Sequence, residues 1–272
     1  MTDTDQAPAG IDVSVASSAR MYDYFLGGHN NFAADRIAAQ KVLEFWPEAP
    51  LVARENRSFL GRAVRFLIAQ AGIRQFIDLG TGLPAMGSVH EVAQAVDPDS
   101  RVIYVDNDPM VLAHARSLKT GDRAAVIRAD LRDTAAILAH PDTRRLIDFS
   151  QPLAVLFVAV LHFVPDPDAH QAVAEYRRAA PPGSYLVLSH GTVEEEVDPE
   201  LEAASVAAYS RTSSPVFTRP RAAILEFFDG LEIVGPGLVP VMRWRPDQDS
   251  ALADDLPLPV RAVLGGVARK PA

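Results

Sequence analysis

The chain has 272 residues, of which 48% are hydrophobic and 22% charged, with a formal net charge of −9 and no cysteine. This composition suits a folded chain with a sizeable core and excludes general disorder; the acidic balance argues against a nucleic-acid backbone as partner. The missing cysteines exclude disulfides, thiolate metal sites and cysteine nucleophiles.

A single domain over 1–272 is expected. Its start, Met1 to Asp5, is acidic and lacks the basic and apolar regions of a signal peptide. No apolar run approaches the ~20 residues of a membrane span, so a soluble, cytoplasmic protein is expected. Residues 1–15 carry Pro8 and Gly10 among polar side chains and read as a flexible tail. Residues 16–72 read as a helical extension. Met21, Phe25 and Leu26 suggest a short helix stopped by Gly27-Gly28, after which Asn31 is placed to cap a helix as far as Phe45. Arg20, Tyr22, Asp23, His29 and Asn30 beside a double glycine suit a lid better than a core. In a lid, Arg20, Tyr22, Tyr24, Gly28 and Asn30 are candidate ligand contacts. Packed core and lid both remain open on the sequence. After Pro50, Phe59, Ala63, Phe66 and Leu60, Val64, Leu67 recur at helical spacing, and Gly72 closes that helix.

The α/β core is expected over 73–272. Gln75 to Leu79 reads as a short buried strand running into Gly80-Thr81-Gly82, a turn that lets a ligand approach the main chain and aims N–H groups at it. Asp78 adds a fixed negative charge, which suits a cationic amino acid or sulfonium and not a pyrophosphate. After Pro84, Val89, Val92, Ala93 and Val96 stripe a helix. Arg101 to Asp106 is a second strand, Asp108-Pro109 opens a helix striped by Val111, Ala115 and Leu118, and Ala124 to Arg128 is a third strand followed by Asp130. This β-α-β-α-β unit calls for a parallel sheet. Leu153 to Val160 is an unbroken apolar run, as for a strand covered on both faces. A helix through Ala172, Val173 and Tyr176 follows it, and Tyr185 to His190 is a fifth strand. A helical insertion lies around 192–220, with a helix near Pro199 to Tyr209. Thr218 can cap a further helix, and Leu231 to Val234 and Val260 to Val267 are the last strands.

In an open α/β sheet the ligand lies outside the carboxyl ends of the strands, so Asp78, Gly80, Gly82, Asp106 and Asp130 surround one crevice. An acid ending the second strand is placed for two ribose hydroxyls, and a nucleoside ligand is expected. NAD would use the same acid, but Ala85 in the last position of the glycine fingerprint, Pro84 within it and Asp78 ahead of it fit pyrophosphate poorly. A domain whose acids merely cap helices, as Asp108 does, is the bland alternative. The histidines show no metal-ligand spacing, so no metal is expected, and Glu194-Glu195-Glu196 reads as a solvated run.

Phe76-Ile77-Asp78-Leu79-Gly80-Thr81-Gly82, Val105-Asp106 and Ala129-Asp130-Leu131 resemble the motif series of class I S-adenosylmethionine-dependent methyltransferases. Ala19 to Gly28, Tyr104 to Pro109, Val160 to Asp166, Pro182 to His190 and Phe228 to Glu232 are similar, more narrowly, to a large bacterial family of S-adenosyl methyltransferase-like proteins of undefined substrate. The resemblance spans almost the whole chain. It implies a Rossmann-like, doubly wound seven-stranded sheet with an antiparallel last strand, S-adenosyl-L-methionine as cofactor, and methyl transfer; it does not supply a substrate, and a small-molecule acceptor is the favoured expectation. Charge and hydropathy leave neither nucleic acid nor membrane as an expected partner, and a homodimer stays open.

By position, the resemblance assigns the backbone of Gly80, Thr81 and Gly82 to the cofactor's amino-acid part and Asp78 to its ammonium. Asp106, with Asn107 beside it, takes the ribose, and Asp130 with Leu131 the adenine. Where many small-molecule and amine methyltransferases carry a polar or acidic motif after the fourth strand, this chain has Ala159-Val160-Leu161-His162-Phe163. A base, if one is used, is then His162 or a residue of the lid. His162 reads equally well as packing, and His190 is a weaker candidate. A second functional class stays open, a non-catalytic S-adenosylmethionine or nucleoside sensor whose lid closes without chemistry. Room for an acceptor beyond the sulfonium separates the two.

Overall fold

The computed structural model describes residues 11–83, 87–115, 121–192, 199–210, 212–247 and 261–272. Its centre is five parallel strands, β1 (Gln75–Leu79), β2 (Arg101–Asp106), β3 (Ala124–Arg128), β4 (Ala154–Val158) and β5 (Tyr185–Gly191). Three more follow: β6 (Glu232–Ile233), β7 (Val239–Pro240) and β8 (Val263–Arg269). The order is β3-β2-β1-β4-β5-β8-β6, with β7 also paired to β8. β8 runs antiparallel to β5, and β6 and β7 antiparallel to β8. The doubly wound sheet with an antiparallel last strand is therefore present, with eight strands instead of seven. The strand expected at Leu231 to Val234 is present as β6, and the added strand is β7, which follows Gly235-Pro236-Gly237 and also pairs with β8.

Among the described residues the helices are α1 (Ser18–Phe25), α2 (Ala33–Phe45), α3 (Ala49–Ala69), α4 (Val89–Val96), α5 (Pro109–Ala115), α6 (Thr134–Ala139), α7 (Pro141–Leu146), α8 (Asp166–Ala179), α9 (Pro199–Tyr209) and α10 (Arg221–Glu226). Side chains alternate across the strands. Phe76, Val102, Leu156 and Val187 pack with α3 and α4; Ile77, Ile103, Val155 and Leu186 pack with α6, α7, α8 and α10. The N-terminal helices close on themselves through Met21, Phe25, Ala39, Val42, Ala49 and Ala53, with Tyr209 of α9 against them.

Several expectations change. Residues 1–10 of the expected tail lie outside the described residues, but 11–15 are held. Ile11 and Val13 pack beside Phe32, Leu83, Met110 and Val111, and the Val15 carbonyl accepts from Arg20 Nη2 at 2.6 Å. Asn31 does not cap α2. Its amide donates to Asp23 at 2.8 Å, and Asp35 takes the Phe32 N–H at 2.8 Å in its place. Thr218 does not cap α10, which starts after Pro220. α6 and α7 have six residues each, too short to show a helical period. Pro84, Ala85, Leu118 and Glu194 to Glu196 lie outside the described residues. Among the described residues no helix is long and apolar enough to cross a membrane, and no group of three or more metal-ligating side chains occurs.

Candidate active site

The carboxyl ends of β1, β2, β4 and β5 open into a cavity of about 360 Å³, roofed by α1, α3 and the segment after α9. That volume is within the ~300–1,000 Å³ of small-molecule sites. Asp78, Gly80, Thr81, Gly82, Asp106, Asn107, Asp130, Leu131 and His162 all line it.

The glycine turn differs from the expected one in which groups it offers. Gly80 and Gly82 take φ of +67° and +66°, a conformation that favours glycine. The N–H groups of Gly80 and Thr81 both donate to the Val105 carbonyl, at 2.8 and 3.2 Å, and the Gly82 N–H donates to Asp106 Oδ2 at 2.8 Å. All three donors are thus engaged inside the protein. The turn's carbonyls have no donor among the described residues. A turn whose N–H groups are taken and whose carbonyls are left open suits an ammonium better than a pyrophosphate, so the residues fit an α-amino-acid head.

The acids divide by environment. Asp78 is 4% exposed and accepts from Thr81 Oγ1 at 3.0 Å. Burial pushes its carboxyl up to about 6, against the pull of the Arg57 cation and the Thr81 hydrogen bond. Asp106 is also pushed up to about 6 by burial, although the N–H groups of Asp108 and Gly82 hold its charged form. The Asp106 oxygens accept the Gly82 and Asp108 N–H groups, and the carboxylate keeps capacity for a further donor, such as a ribose hydroxyl. Asp130 is different. Arg132 reaches it through Nε at 2.9 Å and Nη2 at 2.6 Å, and this pairing holds the carboxyl below its ordinary value. Asp130 therefore meets a ligand as one half of an ion pair.

In the N-terminal segment, Tyr22 lines the cavity, whereas Arg20, Tyr24, Gly28 and Asn30 are not among the residues that do. The polar cluster around the double glycine organises the chain itself. Arg20 is buried against Asp35 at 2.9 Å. Gly28 is a glycine because a Cβ would sit 2.5 Å from the Asp23 Cγ. Asp23 in turn accepts from the Asn30 N–H and the Asn31 amide, both at 2.8 Å. The roof is made instead by Ser17, Tyr22 and Phe25 from the start of the chain, Trp46 and Asn56 beside them, and Tyr209 from α9. Ser17 Oγ donates to Asp108, which fastens the roof to the loop after β2. Asn56 links α1 to β5, donating to the Tyr22 hydroxyl at 3.0 Å and accepting from Ser189 Oγ at 2.6 Å. A polar Asn56 between buried Ala53 and Leu60 was the available sequence signal for this link.

After β4 the chain takes a strained step at Ala159, with φ +55°. His162 follows, its ring 4.4 Å from Phe163 and 5.3 Å from His190 between centroids. Burial, then His190 and Arg219, hold its pKa well below the ordinary value. Its Nδ1 accepts the Gly191 N–H at 3.4 Å, so the neutral ring carries its proton on Nε2. His190 is fully buried and neutral in the other tautomer. Its Nδ1 donates to the Gly191 carbonyl, and its Nε2 accepts from Arg219 Nη1 at 2.7 Å. Arg219, absent from the sequence reading, also donates to the Leu161 and Val164 carbonyls and to Asp166, clamping the loop that carries His162.

Residues 4–271 match the family described as S-adenosyl methyltransferase. The structure superposes on a presumed methyltransferase from Thermobifida fusca YX with TM-score 0.92 and 41% identity, covering 98% of this chain and 100% of that one. A DUF574 family protein from Streptomyces avermitilis MA-4680 gives TM-score 0.89 and 42% identity over 96% and 99%. An O-methyltransferase family protein from Burkholderia thailandensis shares the fold at 16% identity and TM-score 0.52, over 92% of this chain and 64% of that one. No curated protein matches the sequence.

Proposed function

The chain belongs to the S-adenosyl methyltransferase family, and on that basis we propose that it methylates a neutral, largely apolar small molecule held beneath α1, α3 and the segment after α9. S-adenosylmethionine supplies an electrophilic methyl on a sulfonium. The acceptor's nucleophilic atom would form the new bond to carbon as the sulfur–carbon bond breaks, leaving S-adenosylhomocysteine, and the acceptor's proton would pass to solvent. In this reading Asp78 and the turn carbonyls receive the cofactor's ammonium. Asp106 receives the ribose hydroxyls, with Asn107 at the rim, and Ala129, the Asp130 pair and Leu131 border the adenine.

The observation that carries the acceptor class is the distribution of charge. The charged residues lining the cavity, Arg57, Asp78, Asp106, Asp108, Asp130 and Arg132, are near the turn or follow β2 and β3. Beyond them the lining includes Phe25, Trp46, Leu60, Val160, Phe163 and Tyr209. A charged acceptor would lose its hydration there without gaining a counter-charge. With a neutral ring that presents Nε2–H, His162 is proposed to donate a hydrogen bond that orients the acceptor and not to act as a strong base. Holding the two reactants in line in a water-poor cavity then supplies much of the rate. Incubation with methyl-labelled S-adenosylmethionine and matched neutral and charged phenols, alcohols and amines tests this. Label is expected in a neutral aromatic or aliphatic acceptor; transfer to charged acceptors alone refutes the acceptor class.

A further inference from the structure

Among the described residues, one cation lining the cavity has a buried donor that the protein leaves open. Arg57 projects from α3 and lines the cavity together with Asp78, Thr81 and Gly82. The same four residues also border a smaller recess of about 20 Å³ beneath the turn. Its Nε is buried and has no hydrogen-bond partner among the described residues. The other arginines around this end of the fold behave differently. Arg20 gives its Nε to Asp35, Arg62 to the Trp244 carbonyl at 2.9 Å, Arg132 to Asp130, and Arg219 to Asp166 at 2.6 Å. A buried guanidinium donor left open is costly, and a native structure that keeps one calls for an explanation.

Arg57 and Asp78 are near enough for the cation to favour the carboxylate, yet they form no ion pair within 4 Å. Opposite charges held in one cavity without closing on each other can each take a counter-charge from one ligand. An α-amino acid carries both on a single carbon. With Asp78 and the turn carbonyls taking the ammonium, the carboxylate is left for a donor. The turn's N–H groups cannot serve, because all three are engaged. A guanidinium fork matches a carboxylate through two parallel hydrogen bonds.

We propose that Arg57 is the receiver of the α-carboxylate of the cofactor's methionine part, so that Arg57 and Asp78 together read a zwitterion. The proposal rests on the reading of the cavity as the S-adenosylmethionine site. It makes the carboxylate, which takes no part in the methyl transfer, a determinant of affinity.

The test compares S-adenosylhomocysteine with 5′-(3-aminopropylthio)-5′-deoxyadenosine, which keeps the ammonium and lacks the carboxylate, by calorimetry on the full chain. The wild-type protein is expected to bind S-adenosylhomocysteine about tenfold to a hundredfold more tightly, the range of a charge-assisted pair. Arg57→Gln is expected to remove that preference by weakening S-adenosylhomocysteine alone, and Arg57→Lys to restore part of it. Equal wild-type affinity for the two compounds overturns the proposal without any variant. So does an Arg57→Gln protein that keeps the preference or loses affinity for both compounds alike. A wild-type protein that binds neither compound overturns the cofactor reading as well, so the two failures are distinguishable.

Discussion

Gly80→Ala is the perturbation whose cost follows most directly from the geometry. At φ +67° an alanine would hold a left-handed conformation, which costs ~1–2 kcal/mol for a residue with a Cβ. The added Cβ would also fall well inside contact distance of the Val160 Cγ2 and 2.7 Å from its Cβ. Forcing a methyl into a packed contact adds ~1–3 kcal/mol. The expected loss is the sum, about 2–5 kcal/mol. Gly82→Ala is the internal control, because its φ is +66° while its Cβ would meet nothing within 4 Å, so only the backbone cost applies. Val160→Ala removes the obstructing methyls but keeps the Cβ, so the double variant should recover part of the packing cost. Urea unfolding of these four variants and the wild-type protein measures this as a coupling of about 1 kcal/mol or more between positions 80 and 160. Additive losses, or a Gly80→Ala protein no less stable than Gly82→Ala, would refute the account of how the turn seats against the chain after β4.

Asp106→Ala in a folded protein is expected to weaken S-adenosylhomocysteine by about 1.5–3 kcal/mol in calorimetry; unchanged affinity would remove the ribose from that residue. Asp78, with its carboxyl at about 6, is partly protonated below that pH and must lose the proton to meet an ammonium. Cofactor affinity should therefore fall as pH drops from 7 to 5, and Asp78→Asn should bind weakly with a flatter profile. Stability runs the other way. A carboxyl raised from 3.8 to about 6 in the folded state contributes stability at low pH that is lost as pH rises through 6. The unliganded protein should therefore resist urea better at pH 5 than at pH 7.5, less so in Asp78→Asn. His162→Gln is expected to raise the acceptor KM while leaving kcat and its pH profile little changed. A wild-type activity limb near neutral pH that disappears in the variant would instead make His162 the base.

The parallel strands were legible because burial on both faces forces short apolar runs, and β1, β2 and β3 lie where those runs lie. The crevice was legible because Asp78, Gly80, Gly82 and Asp106 sit at strand ends, where the topology brings them together. What those groups do was not legible. Glycine spacing does not reveal that the turn's N–H groups bond to Val105 and Asp106, which changes the turn from a donor to an acceptor surface. The internal partners of the polar cluster from Arg20 to Asn31 were hidden for the same reason. Its partners, Asp35 for Arg20 and Asp23 for Gly28 and Asn30, are identifiable only once the backbone doubles back. Arg219 was missed because the groups it bonds, from Leu161 to His190, lie far away in sequence, and Arg57 because it shares a cavity with Asp78 only once the chain is folded.

Calorimetric titration of the wild-type protein with S-adenosylhomocysteine and, separately, with NAD is the most direct test of the site. A turn that offers carbonyls beside Asp78 predicts that S-adenosylhomocysteine binds one to a chain and that NAD, which requires N–H donors for its pyrophosphate, does not bind. Binding of NAD in preference to S-adenosylhomocysteine would contradict it.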